Sequence, residues 1–163
     1  MPKAILLCGV PTSGKSTWVK NHPGYTIISS DNIIENHAKV TGSSYNEVFE
    51  DYIGSAIEIM LEQLKYAVNH NQNIIVDQTH LTPKSRKRKL RLIPNHYEKI
   101  CVYFEIPKDE MFRRNKNADR TKTVPRRVLI QMHDSYIRPT EKEEFSGVYN
   151  GHFYNCPLTD DNL

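Results

Sequence analysis

Residues 9–17 read Gly-Val-Pro-Thr-Ser-Gly-Lys-Ser-Thr and follow the apolar run Ala4-Ile5-Leu6-Leu7-Cys8. Four variable residues separate Gly9 from Gly14, and Lys15 and Ser16 come next. Those residue types at that spacing, on a loop between a strand and a helix, form the P-loop pattern. Its chemistry is phosphate binding. Backbone N–H groups turn inward as a nest for phosphate oxygens, and the start of the helix adds unpaired N–H groups and its positive end. Gly9 and Gly14 let the backbone come close to the phosphates. Lys15 reaches the β- and γ-phosphates, and the Ser16 hydroxyl holds Mg²⁺. The expected cofactors are ATP and Mg²⁺, and the expected nucleotide contacts are Gly9, Pro11, Thr12, Ser13, Gly14, Lys15, Ser16 and Thr17.

Two carboxylates stand where further strands end. Asp31 follows the apolar segment Tyr25–Ile28, 16 residues after Lys15. A carboxylate at that tip can orient an attacking hydroxyl toward the γ-phosphate and take its proton, which makes Asp31 the candidate general base. It is also a natural N-cap for a helix from Ile33 onward. Asp77 ends the run Ile74-Ile75-Val76 in the manner of a Walker B aspartate, as a metal ligand or as a turn cap. Thr79 and His80 share its loop and are candidates for acceptor contacts. Further along, residues 113–127 carry Arg113, Arg114, Lys116, Arg120, Lys122, Arg126 and Arg127 against the single acid Asp119. A polar, arginine-rich stretch after the fourth strand's helix is expected to be a lid over about 114–124. Arg120 is the first candidate for charge neutralisation in the transition state, and Arg114, at the hinge, is the second.

The elements that must position these groups alternate. Strands at 5–8, 25–28, 74–76 and 100–104 are continuously apolar, as parallel strands covered on both faces are. Helices are expected at 16–20, 33–39, 46–69, 84–93, 108–115 and 125–136. In the longest, Phe49, Ile53, Ile57, Leu61, Leu64 and Val68 recur at helical spacing and are expected to face the core. Ser44 and Glu47 offer a capping box. In the last, Val128, Leu129 and Met132 make the inward stripe, and His152–Cys156 is expected to add an edge strand. The fold class is therefore α/β, a P-loop NTPase fold with a parallel sheet and helices on both faces. Gly9, Asp31, Asp77 and Glu105 all sit at the carboxyl ends of strands, where ligands bind in open parallel sheets.

The chain of 163 residues fits one domain, residues 1–163. No stretch is apolar and long enough to span a membrane. Cys8, Cys101 and Cys156 show neither metal-ligand spacing nor a disulfide framework, which suits a reducing cytoplasm. The net charge of +3 hides a segregation. Residues 84–91 carry Lys84, Arg86, Lys87, Arg88, Lys89 and Arg91 with no acid, and together with 113–127 they leave the remainder of the chain acidic. That reads as an anion-facing side, with Lys84 and Arg88 as candidate contacts to an acceptor, or as a solvated helix face.

Taken together, these residues resemble the 5′-hydroxyl polynucleotide kinase domain of the phage polynucleotide kinase-phosphatase. The resemblance is carried by the P-loop through Trp18, the pair Ser30-Asp31, Ile74 through Leu81, Arg114-Asn115, Arg120-Thr121-Lys122-Thr123-Val124-Pro125 and Val148-Tyr149-Asn150-Gly151. It implies transfer of the ATP γ-phosphate to the 5′-hydroxyl of RNA or DNA ends. Asp31 would be the base, Lys15 and Ser16 the ATP–Mg²⁺ contacts, and Arg120 and Arg114 the lid arginines. Ser30 and Ile34 stand where that family carries arginines, the second of them a 3′-phosphate contact. No D-x-D-x-T phosphatase motif follows, so phosphatase or ligase functions would lie on separate proteins. Two rival readings remain. One is a P-loop kinase of a small metabolite such as a nucleoside or sugar; the other is a nucleic-acid-binding module that holds ATP without transferring its phosphate.

Overall fold

The computed structural model describes residues 1–117 and 119–156. Five strands form one parallel sheet: β1 (Lys3–Cys8), β2 (Thr26–Ile28), β3 (Ile74–Val76), β4 (Glu98–Tyr103) and β5 (Gly147–Asn150), in the order β2-β3-β1-β4-β5. β1 is central because it is apolar on both faces: Ala4 through Cys8 have no exposed surface. It pairs with β3 in the register Ile5↔Ile75 and with β4 in the register Ile5↔Ile100. Alternation along the strands sends Ala4, Leu6, Ile28, Ile74 and Val76 into one core and Ile5, Leu7, Ile75, Ile100 and Val102 into the other. The first core is closed by helix α3 (Tyr45–Asn69) and the second by α1 (Lys15–Lys20), whose Trp18 stacks on His22. The expected two-faced α/β arrangement is the observed one.

Helix boundaries follow local chemistry. α2 (Ser30–Thr41) starts earlier than its apolar pattern suggests, because Ser29 caps it by accepting from Asn32 N–H at 3.3 Å. Asp31 therefore sits in the first helical turn and is not the N-cap. Ser44 and Glu47 make the expected capping box on α3. Thr82 and Ser85 make another on α4 (Pro83–Leu90), which ends short of residue 93. α5 (Lys108–Asn115) and α6 (Arg126–Ser135) flank the arginine-rich segment, and Met111 and Leu129 from them pack with Val10 and Ile106 in a third, smaller core.

Two expectations are corrected. The buried face of α3 is Ala56, Met60, Leu64, Ala67 and Val68, whereas Phe49, Ile57 and Leu61 are 37%, 40% and 39% exposed. Each step of four advances about 40° beyond a full turn, so a run of fours winds off the face that its first members define. The two alanines, invisible to a search for large apolar residues, are what let the helix lie close on the sheet. The last strand is Gly147–Asn150, not His152–Cys156. Its residues pair with Ile100–Tyr103, and a turn over 151–153 follows.

This assignment separates two substitutions of similar size. Met60→Ala opens a cavity against the sheet and is expected to destabilise the fold by about 2–5 kcal/mol, whereas Ile57→Ala should cost about 1 kcal/mol or less. Urea denaturation midpoints of the two variants measure this, and equal losses would contradict the assigned face.

Candidate active site

The strand order places the P-loop after β1, with the loop of Asp77 beside it after β3 and Asp31 beyond that after β2. The P-loop backbone is shaped for an anion. Thr12 has φ 73° and Gly14 φ 112°, and a Cβ at Gly9 would come within 2.7 Å of Ser13 Oγ and 2.8 Å of the Phe104 carbonyl oxygen. The loop is tied to its neighbour where Gly9 N–H donates to the Thr79 carbonyl at 2.9 Å. Lys15 curls back over it, its ammonium donating to Gly9 O at 2.5 Å and Val10 O at 3.4 Å. Burial lowers the Lys15 pKa, against the pull of Asp77 and Asp31. Burial likewise raises that of Asp77, against Lys15 and with Asp31.

Asp31 is held by two donors, neither among the candidate residues. Tyr45 Oη donates to Oδ1 at 2.8 Å, and Lys122 Nζ sits 2.8 Å from Oδ2. Lys122 also reaches Glu35 at 3.4 Å and lies over the Tyr45 ring, 5.2 Å from its centroid. Burial alone would raise the Asp31 pKa. The charge and hydrogen bond of Lys122, the Tyr45 hydroxyl and the charge of Lys15 outweigh it, so the carboxyl lies below its ordinary range. Glu35 was within reach of sequence reasoning, since four residues after Asp31 on a helix is the same face. Tyr45 and Lys122 needed the tertiary fold.

The lid arginines divide. Arg114 lies on the P-loop, donating from Nη1 to the Thr12 carbonyl at 3.0 Å and from Nε to Glu110 at 2.8 Å. Arg120 is half-buried, donates to the Lys122 carbonyl at 3.2 Å and lies in the field of Asp31 and Glu35. The segment that carries them is pinned at its base by Asn115, whose side chain donates to Val124 O at 2.9 Å and accepts from Val124 N–H at 3.0 Å.

Other candidates are placed elsewhere. His80 points into the interior: it is 4% exposed, with φ 43° and Nδ1 2.7 Å from the Leu7 carbonyl. Its positive-φ backbone turns the ring against β1, the central strand, with almost no surface left for an acceptor. Lys84 and Arg88 are exposed on α4, as is Lys87, but Arg86 and Lys89 of the same helix are buried. Arg86 has no exposed surface. It pairs with Glu143 through Nε at 2.7 Å and Nη2 at 2.9 Å and donates to the His80 carbonyl at 2.8 Å. Arg113 is bound to Glu110, and Arg126 lies over the Phe112 ring at 3.8 Å. The basic windows are thus only in part a free cationic face. On the β4 side of the P-loop lies a cavity of about 450 Å³, lined by Val10, Phe104, Glu105, His133, Tyr136 and Arg138 among others. It sits three strand positions from Asp31.

The residues present fit the groups the loop implies. The Ser13 hydroxyl is buried without a hydrogen-bond partner and lies against the Gly9 cradle, as a donor awaiting a phosphate oxygen does. Ser16 offers an exposed hydroxyl at the start of α1, and Asp77 a carboxyl pushed toward protonation by burial, the condition a divalent cation reverses.

The chain belongs to the AAA domain family, whose model matches residues 5–139. Solved structures share the fold. A putative kinase from Chloroflexus aurantiacus superposes with a TM-score of 0.65 at 17% identity, over 91% of this chain and 83% of that one. A chain of the Pnkp1/Rnl/Hen1 RNA repair complex gives 0.63 at 16% identity, over 82% of this chain and 43% of its own length. Shikimate kinase from Acinetobacter baumannii, in complex with shikimate, gives 0.55 at 19%, over 91% and 83%. The fold is a P-loop NTPase-like α/β fold shared by several kinase families and not peculiar to the polynucleotide kinase domain.

The buried histidine supplies a pH test. Burial, with lesser contributions from Lys89, Lys15 and Arg86, lowers its pKa to about 3 despite the Leu7 carbonyl. The unfolded value is about 6.5, so between the two the unfolded chain binds the extra proton and stability rises with pH. Its contribution is complete above 6.5 and is lost as pH falls toward 3. Denaturation between pH 7 and 5 should show stability falling by up to about 1.4 kcal/mol per pH unit from this residue, with a shallower slope in His80→Gln. Equal slopes would place the ring in solvent.

Proposed function

We propose that this chain is an ATP-dependent kinase in which Asp31 receives the proton of an acceptor hydroxyl. The observation that carries the reading is an ionised carboxylate at the end of β2, in the field of the P-loop lysine and of a lid cation. The acceptor oxygen bonds the γ-phosphorus, and the bond to the β–γ bridging oxygen breaks with its electron pair leaving on ADP. The acceptor proton passes to Asp31, whose pKa, held low, keeps it ready as a base near neutral pH. Lys15 neutralises charge on the transferred group. Arg114, tied to Thr12 O, braces the P-loop and is placed to share that charge, while Arg120 stands on the acceptor side. Ser16 and Asp77 would hold Mg²⁺, which would supply positive charge to offset that of the phosphates.

Two acceptor classes compete. A small hydroxyl metabolite is favoured by the comparisons that span nearly all of both chains, among them shikimate kinase and a sugar kinase from Janibacter covered over 87% of its length. The burial of Arg86 and Lys89 within α4 points the same way. The 5′-hydroxyl end of RNA or DNA is supported by the sequence resemblance, by likeness to a chain of an RNA repair complex, and by exposed Lys84, Lys87, Arg88 and Arg91 on and just after α4. The ATP-holding module without transfer finds no support in an Asp31 kept ionised beside the P-loop.

The deciding experiment offers labelled ATP–Mg²⁺ with 5′-hydroxyl RNA and DNA oligonucleotides, nucleosides, sugars and sugar acids. Transfer to one class is expected, with Asp31→Ala lowering kcat by about 10²–10⁴-fold while ATP affinity changes less than about threefold by calorimetry. Intact ATP binding without transfer to any acceptor would overturn the kinase reading. Labelling of oligonucleotides alone would assign the α4 cations to a nucleic-acid strand.

A further inference from the structure

We propose that the cavity beside the P-loop is a second binding site, which takes a free α-amino acid with an apolar side chain. It lies three strand positions from Asp31, and it does not depend on the kinase reading above.

The cavity, of about 450 Å³, is of the size that encloses a small molecule. Val10, Phe104 and Ile106, all nearly buried, give it an apolar lining. The segment that follows α6 supplies its polar side. Ile137 N–H donates to the Leu81 carbonyl at 2.9 Å, which ties that segment to the loop after β3. Tyr136 and Arg138, the neighbours of Ile137, both line the cavity. The Tyr136 hydroxyl is buried and, among the described residues, has no hydrogen-bond partner. It lies in the field of Glu105 and Arg138. Those two form an ion pair through Arg138 Nη2 and Glu105 Oε1, and the guanidinium sits 5.4 Å from the centroid of the Tyr103 ring. Their side chains are 62% and 33% exposed, so the pair is open to exchange. His133 is already engaged, with Nε2 3.2 Å from the Ile106 carbonyl.

Each of these groups calls for a different part of one ligand. A buried hydroxyl without a partner costs free energy until an acceptor meets it. Arg138 meets Glu105 through one nitrogen, and a guanidinium has donors to spare for a second carboxylate. A carboxylate placed there accepts from Tyr136 and pairs with Arg138. Glu105 keeps a second oxygen and needs a cation to offset the arriving anion. An α-amino acid carries both charges on one carbon, so filling the cavity leaves its charge balance unchanged. A lone carboxylate would stand against Glu105, and a lone amine against Arg138. The apolar side chain covers Val10, Phe104 and Ile106 and removes them from water. Two of these residues also border the phosphate cradle. Val10 O accepts from Ser13 N–H at 3.3 Å, and Phe104 O lies 2.8 Å from where a Cβ on Gly9 would stand. An occupant therefore rests on residues that shape the P-loop.

The test is calorimetry on the full chain with L-leucine and three probes that each lack one part of it. 4-Methylpentanoate lacks the ammonium, leucinamide the carboxylate and glycine the side chain. L-Leucine is expected to bind about tenfold tighter than any of them. Tyr136→Phe should weaken leucine binding about tenfold, and Arg138→Gln by about as much or more. Without ligand, Tyr136→Phe should melt no lower than the unsubstituted protein, because the hydroxyl it removes has no partner to lose. Leucine is also expected to bind when ADP–Mg²⁺ fills the P-loop. A cavity that holds only water would bind no probe, and an unchanged affinity in Tyr136→Phe would put leucine elsewhere; either result overturns the site. A lower melting temperature in Tyr136→Phe would show the hydroxyl already bonded and count equally against it. Equal affinity for leucine and 4-methylpentanoate would overturn the zwitterion, and exclusion of leucine by ADP would give the cavity to the nucleotide. Absence of transfer to every acceptor would sink the kinase reading and leave these binding measurements as decisive as before.

Discussion

A guanidinium with no exposed surface stands where four parts of the chain meet. Arg86 reaches from α4 to the carbonyl of His80 and the Cys8 thiol, and it is held bidentately by Glu143 from the segment before β5. Taking that charge out of water is costly, and it is tolerated because both carboxylate oxygens and a backbone carbonyl answer its donors. The arrangement fixes the loop that carries Asp77 and Thr79 against the end of β1. Since Gly9 N–H donates to Thr79 O, it fixes the entry of the P-loop as well. The phosphate cradle is thus braced from behind by an ion pair that takes no part in the chemistry.

In front of that brace, the cleft is an alternation of charges. Lys15 lies between Asp77 and Asp31, and Lys122 between Asp31 and Glu35, with Arg120 in the same field. Burial works against Lys15, Asp77, Arg120 and Asp31, and at Asp31 the neighbouring cations and the Tyr45 hydroxyl outweigh it. Entry of a nucleotide's phosphates exchanges partners within this set instead of creating a charged site from nothing. The two arginines face opposite sides of it, Arg114 donating to the Thr12 carbonyl of the P-loop and Arg120 lying in the field of Asp31 and Glu35.

Much of this was legible in the chain. The P-loop spacing, the continuous apolar strands and the Ser44–Glu47 capping box depend on neighbours a few residues apart, and the fold carries them as read. What could not be read depends on distant partners. Nothing local distinguishes Arg86 from Arg88 on α4; the distinction is Glu143, 57 positions away. Lys122 and Tyr45 acquire meaning only when lid and α3 converge on Asp31, and His80 is turned inward by a backbone angle that no pattern announces. The buried face of α3 was hidden because alanines at 56 and 67 do the close packing.

The placing of β1 in the middle of a parallel sheet sets the order in which the molecule can be made. Ala4 finds its partner Ile74 about 70 residues later, and Lys3 finds Glu98 later still. At roughly 5–20 residues per second on the ribosome, an apolar strand that is wholly buried in the finished protein waits on the order of 5–20 seconds before both edges can be covered. During that interval it is an unpaired strand edge of the kind that recruits other chains. The same strand that gives the phosphate loop its rigid base is therefore the one that waits longest for its partners during synthesis.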